Sequence, residues 1–199
     1  MPKQLDFWFD FASTYSYVAA LRVEPLCRAA GLTVSYKPFL LGPLFVEQLG
    51  IKGSPFNAYP IRGRYMWRDL ERLCAKYSLP WRRPEAFPRN SVLAARVALI
   101  GADEAWGPQF IRTAFLANFA EDRDIADPQT LGAILAALQL PSQKILERAV
   151  SSENKLHLRD QTAQGAALGM FGAPNFVVAG DLFFGQDRME DAIHWALGH

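Results

Sequence analysis

The first 36 residues follow the order strand, helix, strand, and this order restricts the fold more than any other feature of the sequence. Residues 5–10 predict a short buried strand, residues 14–30 a helix that Ser13 or Thr14 caps and Gly31 ends, and residues 32–36 a second strand. Two strands joined by a helix within one sheet lie parallel, with a right-handed crossover. We therefore expect an α/β fold.

Helical patterns fill the middle of the chain, and β-structure returns near its end. The glycines and prolines of residues 42–62 predict an irregular loop with one short helix. Helices are then predicted over residues 64–77, 90–102, 107–118, 128–138, 142–150 and 152–169. A hairpin with a Gly180-Asp181 turn and a terminal helix over residues 188–197 follow. The predicted order is βαβ, an all-helical block, then ββα.

Composition and charge give little reason to expect a nucleic acid or a membrane as partner. The net charge is +1, and no apolar run approaches the ~20 residues that cross a bilayer. Residues 1–11 are too short and too polar for a signal peptide, so we expect a cytoplasmic protein. Cys27 and Cys74 are expected as buried free thiols, although their number alone permits a disulfide. No metal is expected.

Ser13 and Ser16 form a Ser-x-x-Ser turn between the first strand and the first helix. A thioredoxin-like oxidoreductase carries Cys-x-x-Cys at such a place. The hydroxyls exclude dithiol exchange, yet the site suits a thiolate that another molecule supplies. A simple helix cap is the alternative role for Ser13. A serine hydrolase triad is not expected, because a Gly-x-Ser-x-Gly elbow is missing and the histidines lie far along the chain, at His157, His194 and His199.

Two further motifs flank the predicted hairpin. In Phe171–Phe176 we predict a cis bond before Pro174 that presents the backbone of Ala173 to a bound peptide; alternatively, the proline only starts the strand. In residues 184–188, backbone N–H groups are predicted to hold a carboxylate and Asp187 an ammonium group. The alternative is that Asp187 caps the last helix and Arg188 is solvated.

Together the three motifs predict a receptor for glutathione. Ala173 would pair with the backbone of the tripeptide, and residues 184–188 would bind its γ-glutamyl end. The thiol would then lie at Ser13. A helix N-terminus acidifies a thiol, and a hydroxyl adds a charge-assisted hydrogen bond to the sulfur.

Four stretches carry a resemblance to a known family: residues 7–17 (Phe-Trp-Phe-Asp-Phe-Ala-Ser-Thr-Tyr-Ser-Tyr), 62–70, 171–174 and 184–189. They resemble the 2-hydroxychromene-2-carboxylate isomerases, which belong with kappa-class glutathione transferases in the DsbA-like thioredoxin superfamily. The resemblance implies a thioredoxin-like domain (residues 1–41 and 165–199) interrupted by a helical domain (residues 42–164). It also implies a homodimer and glutathione as cofactor.

The resemblance also assigns roles to individual residues. It places Ser13 at the glutathione sulfur, and it implies further glutathione contacts at Ala173, Phe184, Gly185, Gln186, Asp187 and Arg188. Substrate contacts are predicted at Asn57 and Arg62. Phe45 and Phe87 are also predicted to contact the substrate, as part of an apolar wall; they stand near the places of a substrate-binding Lys and Tyr in naphthalene-degrading relatives. Thr14 replaces the usual Pro, and Gln186 replaces the usual Asn. Together with Phe45 and Phe87, these are four positions at which this chain departs from its relatives.

Three functions are consistent with these residues. The first is a glutathione-dependent isomerase that converts 2-hydroxychromene-2-carboxylate, or a related planar unsaturated 2-oxo acid, by reversible thiolate addition. The second is a kappa-like glutathione transferase or peroxidase. The third is a thioredoxin-like binding module without catalytic activity.

Overall fold

A mixed β-sheet forms the centre of the fold. The computed structural model describes residues 3–198; Met1, Pro2 and His199 lie outside the described residues. In the described part the strands are β1 (Gln4–Phe9), β2 (Thr33–Pro38), β3 (Asn175–Val178) and β4 (Asp181–Phe184), in the spatial order β2-β1-β3-β4. β1 and β2 are parallel, whereas the other pairs are antiparallel. The predicted βαβ and ββα units are confirmed.

Helices surround the sheet, and most of them belong to the predicted insert. They are α1 (Thr14–Ala20), α2 (Val23–Ala29), α3 (Leu41–Leu49), α4 (Pro55–Ala58), α5 (Pro60–Lys76), α6 (Val92–Gly101), α7 (Gly107–Phe119), α8 (Pro128–Ala137), α9 (Ser142–Ala149), α10 (Ser152–Ala167) and α11 (Met189–Leu197). A single 3₁₀ turn over Gln186–Arg188 precedes α11. The six helices predicted over residues 64–169 correspond to α5–α10.

The prediction of one helix over residues 14–30 is wrong, because the structure has two. α1 ends at Ala20 and α2 begins at Val23. Pro25 explains the break: its ring would clash with the carbonyl group of Leu21 in a continuous helix, and it has no N–H to donate. In α2 the proline is the third residue, where an N–H group has no partner within the helix.

Residues 42–62 are also more ordered than predicted, since α3, α4 and the start of α5 cover most of them. The prediction treats the prolines of this segment as helix breakers. Pro55 and Pro60 instead occupy the first positions of α4 and α5, where the fixed φ of proline is compatible with a helix. The hairpin turn is Ala179-Gly180, with φ values of 52° and 94°, and not Gly180-Asp181.

The hydrophobic core is continuous between the sheet and the helical block. The ring of Phe115 in α7 lies 5.8 Å from that of Phe9 and 4.7 Å from that of Phe11, measured between centroids. All three rings are fully buried. The division of the chain at residues 41/42 and 164/165 stays a prediction, and the described residues on its two sides share one core.

Cys27 and Cys74 are buried free cysteines, as predicted. Burial raises the pKa of each thiol to about 11. Among residues 3–198, none of the helices has the length and apolar character that crossing a bilayer requires.

Candidate functional site

Ser13 is the N-cap of α1, and its hydroxyl makes two hydrogen bonds. The oxygen accepts from the backbone N–H of Ser16 at 3.1 Å, and the hydroxyl donates to the carbonyl oxygen of Ala173 at 3.0 Å. Ser13 is 8% exposed. The predicted cap is confirmed, and the same hydroxyl joins the first motif to the second across 160 residues of sequence.

The turn before Ser13 is held by Asp10 at the end of β1. The carboxylate of Asp10 accepts from the backbone N–H groups of Ala12 at 2.9 Å and Leu41 at 2.8 Å, and its carbonyl oxygen accepts from the N–H of Ser13 at 2.9 Å. Burial raises the pKa of the Asp10 carboxyl group, whereas the hydrogen bonds from Leu41 and Ala12 lower it; burial has the larger effect. Asn118 of α7 donates to the carbonyl oxygen of Phe11 at 2.9 Å. The position of Ser13 is therefore fixed from both the sheet and the helical block.

The proline loop, residues 171–174, faces Ser13. The Ala173-Pro174 bond is cis, as predicted. A Cβ atom added to Gly172 would lie 2.7 Å from the ring of Phe184, so the loop needs glycine there to pack against β4. The ring of Phe184 also lies 4.4 Å from that of Phe171, between centroids. The loop and the end of the hairpin thus form one packed unit.

The 184–188 turn is joined to the proline loop through Gly185. Its N–H donates to the carbonyl oxygen of Pro174 at 3.0 Å. Gly185 has a φ of 109°, and a Cβ atom there would lie 2.5 Å from Oδ1 of Asp187. The positive φ requires glycine, whereas the exposed carboxylate of Asp187 could move aside. The structure therefore brings Ser13, Ala173 and the 184–188 turn to one place.

The polar side chains of the turn have different orientations. Gln186 is buried and its Oε1 accepts from Arg22 at 3.5 Å, so its side chain points inward. Asp187 is exposed, while Arg188 donates to Asp191 at 2.9 Å on the surface. Neither Asp187 nor Arg188 makes a side-chain cap to α11. Asp187 forms a loose surface pair with Nε of Arg188 at 3.9 Å, and its exposed carboxylate stays accessible to a ligand.

Two of the four predicted substrate residues line a cavity of about 440 Å³ beside the insert helices. Asn57 donates to the carbonyl oxygen of Phe87 at 2.9 Å, and Phe87 packs edge-on against Trp67 with 4.7 Å between ring centroids. The complete lining is Asn57, Trp67, Arg83, Pro84, Glu85 and Phe87. The other two predicted residues are not part of this lining. Arg62 is exposed on α5 and lies 5.0 Å from the ring of Tyr59, and Phe45 is half-buried on α3.

Sequence reasoning missed Arg83 and Tyr15. Arg83 lies 4.7 Å from the ring centre of Trp67 at the cavity; the Trp-Arg-Arg run at residues 81–83 was the available signal. Tyr15 donates to Asp69 of α5 at 3.0 Å, and its ring lies 6.3 Å from that of Phe56. Burial raises the pKa of Tyr15, and the charge and hydrogen bond of Asp69 raise it further. Tyr15 therefore connects the helix of Ser13 with α4, which carries Asn57.

The family model of the DsbA-like thioredoxin domain matches residues 4–194. The chain belongs to the DsbA-like thioredoxin domain family. A solved 2-hydroxychromene-2-carboxylate isomerase superposes with a TM-score of 0.86 at 23% identity, over 98% of this chain and 94% of that chain. The disulfide reductase DsbM of Pseudomonas aeruginosa with GSH gives a TM-score of 0.69 at 16% identity, covering 98% of each chain. The predicted thioredoxin-like fold with inserted helices is confirmed.

Curated relatives agree with the resemblance found in the sequence. A 2-hydroxychromene-2-carboxylate isomerase of Sphingobium xenophagum is 28% identical over 190 residues, which cover 96% of each chain. The glutathione S-transferase kappa 1 of Homo sapiens is 26% identical over 216 residues, covering 98% of this chain and 91% of the relative. Both relatives match this chain over nearly its whole length.

Proposed function

We propose that this chain is a glutathione-dependent isomerase of a planar aromatic α,β-unsaturated 2-oxo acid. The substrate would be 2-hydroxychromene-2-carboxylate, which is converted to trans-o-hydroxybenzylidenepyruvate, or a related compound. One observation carries the proposal: the Ser13 hydroxyl contacts the carbonyl oxygen of Ala173 at the cis-proline loop. The isomerase of Sphingobium xenophagum, at 28% identity, supports the reaction class.

The residues present fit glutathione. The carbonyl oxygen of Ala173 is bonded to a side-chain hydroxyl and not to another strand, so a peptide N–H can replace that hydroxyl. Exposed Asp187 suits the γ-glutamyl ammonium group. When bound, glutathione would supply a thiolate that adds reversibly to the unsaturated bond of the acid, which permits rotation before the thiolate leaves.

Ser13 would hold this sulfur in its ionised form. A peptide N–H at the carbonyl oxygen of Ala173 releases the Ser13 hydroxyl, which then donates to the sulfur. Its oxygen keeps the hydrogen bond from the N–H of Ser16, so α1 remains capped. Hydrogen bonds to a charged acceptor are about twice as strong as neutral ones, and this one favours the thiolate over the thiol.

The cavity beside the insert helices is the proposed place for the oxo acid. Phe87 and Trp67 offer aromatic walls, and Asn57 offers an amide. Arg83 is the proposed partner of the substrate carboxylate in place of Arg62, because Arg83 lines the cavity and Arg62 does not. Phe45 stays a predicted contact from the resemblance. Phe56, 6.3 Å from Tyr15 and next to Asn57, connects this cavity with the Ser13 side of the site.

Calorimetric titration with glutathione, followed by an absorbance assay with hydroxychromene carboxylate, tests the proposal. We expect glutathione to bind and isomerisation to require it. Isomerisation that proceeds equally well without glutathione would contradict the mechanism. Absence of glutathione binding would leave the non-catalytic binding module as the better description.

A kappa-like transferase is the second candidate, because human glutathione S-transferase kappa 1 is 26% identical over almost the whole chain. The two candidates differ in product. A transferase accumulates a glutathione conjugate, or oxidised glutathione when a peroxide is the substrate, whereas an isomerase leaves the glutathione concentration unchanged. Chromatography of the reaction mixture separates them.

We further propose a cytoplasmic homodimer. Apolar side chains on α3 and α5 are exposed, among them Leu49 at 52%, Ile61 at 76% and Tyr65 at 63%. Exposed apolar side chains of this size are candidates for a protein interface. Sedimentation velocity measures the expected mass of two chains.

A further inference from the structure

Arg22 is a nearly buried arginine in the short link between α1 and α2. Its side chain is 11% exposed, and its guanidinium contacts residues from three elements. It donates to Gln186 in the 184–188 turn at 3.5 Å and pairs with Glu190 in the first turn of α11. It also lies 3.6 Å from the ring centre of Tyr77, at the end of α5.

The contacts of Arg22 reach well beyond the α1–α2 link. A buried charge must be paired and hydrogen-bonded, and Glu190, Gln186 and the face of Tyr77 together meet that requirement. Arg28 shows the ordinary case in the same segment. Its side chain is 76% exposed and, within residues 3–198, pairs only with Glu24 of the same helix. Arg22 instead joins parts of the chain more than 160 residues apart.

Gln186 connects Arg22 to the candidate site. It is 8% exposed and stands between Gly185, which is bonded to the proline loop, and Asp187, the proposed partner of the γ-glutamyl ammonium group. Arg22 follows the C-terminal end of α1, and Ser13 caps the opposite end of that helix. The helix and the guanidinium therefore fix the 184–188 turn relative to Ser13.

We infer that Arg22 is a positioning residue for the γ-glutamyl end of glutathione. Through Gln186 and Glu190 it holds the 184–188 turn where one glutathione molecule reaches both Asp187 and Ser13. This inference rests on the proposed function. Lysine can replace arginine here only in part, because its single ammonium group lacks the planar fork that stacks on Tyr77 while bonding to two oxygen atoms.

The test compares glutathione with cysteinylglycine, which has the same thiol and lacks the γ-glutamyl group. Dissociation constants for both are measured calorimetrically with the wild-type chain, Arg22→Met, Arg22→Lys and Glu190→Gln. Arg28→Met is the matched control, since it removes an exposed arginine from the same segment. For Arg22→Met we expect glutathione binding to weaken by roughly tenfold or more, as for loss of a hydrogen-bonded charge, with cysteinylglycine binding unchanged.

Arg22→Lys and Glu190→Gln should show smaller losses with the same selectivity, and they serve if Arg22→Met does not fold. If Arg22 had only a general structural role, the variants would bind glutathione and cysteinylglycine more weakly by the same factor. That result would overturn the inference. Unchanged glutathione binding in all three variants overturns it as well. If the wild-type chain binds neither ligand, the proposed function fails. If the wild type binds both ligands with equal affinity, glutathione binding stands and only the γ-glutamyl role of the turn, with Arg22 behind it, is lost.

Discussion

At the scale of single residues, the Ser13 hydroxyl has two roles, and a single substitution removes both of them. It caps α1 and, in the proposed function, solvates the glutathione sulfur. Ser13→Ala is expected to raise the pKa of the bound thiol and to slow turnover. The cost is about 1.5–3 kcal/mol for a hydrogen bond to a charged group. The pH dependence of thiolate absorbance, measured on the glutathione complex, gives the pKa directly.

Ser16→Ala is the matched control for this experiment. Ser16 is fully buried, and its hydroxyl has no hydrogen-bond partner among the described residues. In Ser16→Ala the backbone N–H can still donate to the Ser13 hydroxyl oxygen, so the cap of α1 is kept. We expect it to leave the thiol pKa unchanged. If Ser13→Ala matched the wild-type activity from about pH 6 to 9, the range around thiol titration, Ser13 would have no catalytic role.

The burial of the two cysteines predicts how the stability of the fold changes with pH. Burial raises the pKa of Cys27 and Cys74 to about 11, above the ordinary value near 8.5. The neutral thiols therefore stabilise the fold fully below about pH 8.5, and this contribution is lost as the pH rises toward 11. A thiol reagent at about pH 8 should react far more slowly with the native chain than with the chain in denaturant. Rapid modification of native protein would show that these sites are open.

At the scale of elements, the 184–188 turn is predicted to act on binding and not on chemistry. Asp187 lies at the γ-glutamyl end in the proposed complex, remote from the reacting sulfur. Asp187→Asn should therefore raise the dissociation constant of glutathione and leave turnover at saturation nearly unchanged, which is a uniform-binding effect. Asp191→Asn, which alters the surface partner of Arg188, is the control. An unchanged dissociation constant would remove Asp187 from the site.

The elements also show how far the sequence alone can lead. Motifs with a fixed local geometry were predictable: Ser13 as a cap and Pro174 as a cis residue stand at defined places relative to strand and helix. The predicted helix over residues 14–30 runs through Pro25, and Pro55 is assigned to a loop. A proline breaks a helix interior yet suits its first turn, and only the position of the helix start decides between the two. Arg83 and Arg22 were missed because their contacts depend on distant partners, Trp67 and Gln186. The Trp-Arg-Arg run marks the place of Arg83 in the sequence, but it does not show which ring the guanidinium meets.

At the scale of the whole molecule, the continuous core predicts one cooperative unfolding transition. Phe9 and Phe11 of the sheet side pack on Phe115 of the helical block, so neither part keeps its core without the other. Tryptophan fluorescence, which includes Trp67 and Trp81 of the insert, and far-ultraviolet circular dichroism should give the same midpoint in urea. Two separate transitions would mean that the predicted domains unfold independently.

Glutathione should stabilise this single unit by mass action. At a concentration of about 100 times its dissociation constant, a ligand that binds only the folded chain adds about 2.7 kcal/mol. For a chain of this size, each kcal/mol raises the melting temperature by roughly 2–4 °C. Differential scanning calorimetry with and without glutathione measures the shift. Oxidised glutathione, whose sulfur cannot ionise, serves as the control and should shift the melting temperature less.

The contact between Phe11 and Phe115 also bears on how such a chain can change by recombination. A helical block that merely decorated the surface could be deleted, exchanged between relatives or transplanted as a module. Here its removal would take away Phe115, which packs against Phe9, Phe11 and Tyr17, and would leave the carbonyl oxygen of Phe11 without the amide of Asn118. The residues that immediately precede the Ser-x-x-Ser turn would then face water. Grafting the helical block onto another sheet therefore requires matching changes at the residues that meet Phe115 and Asn118.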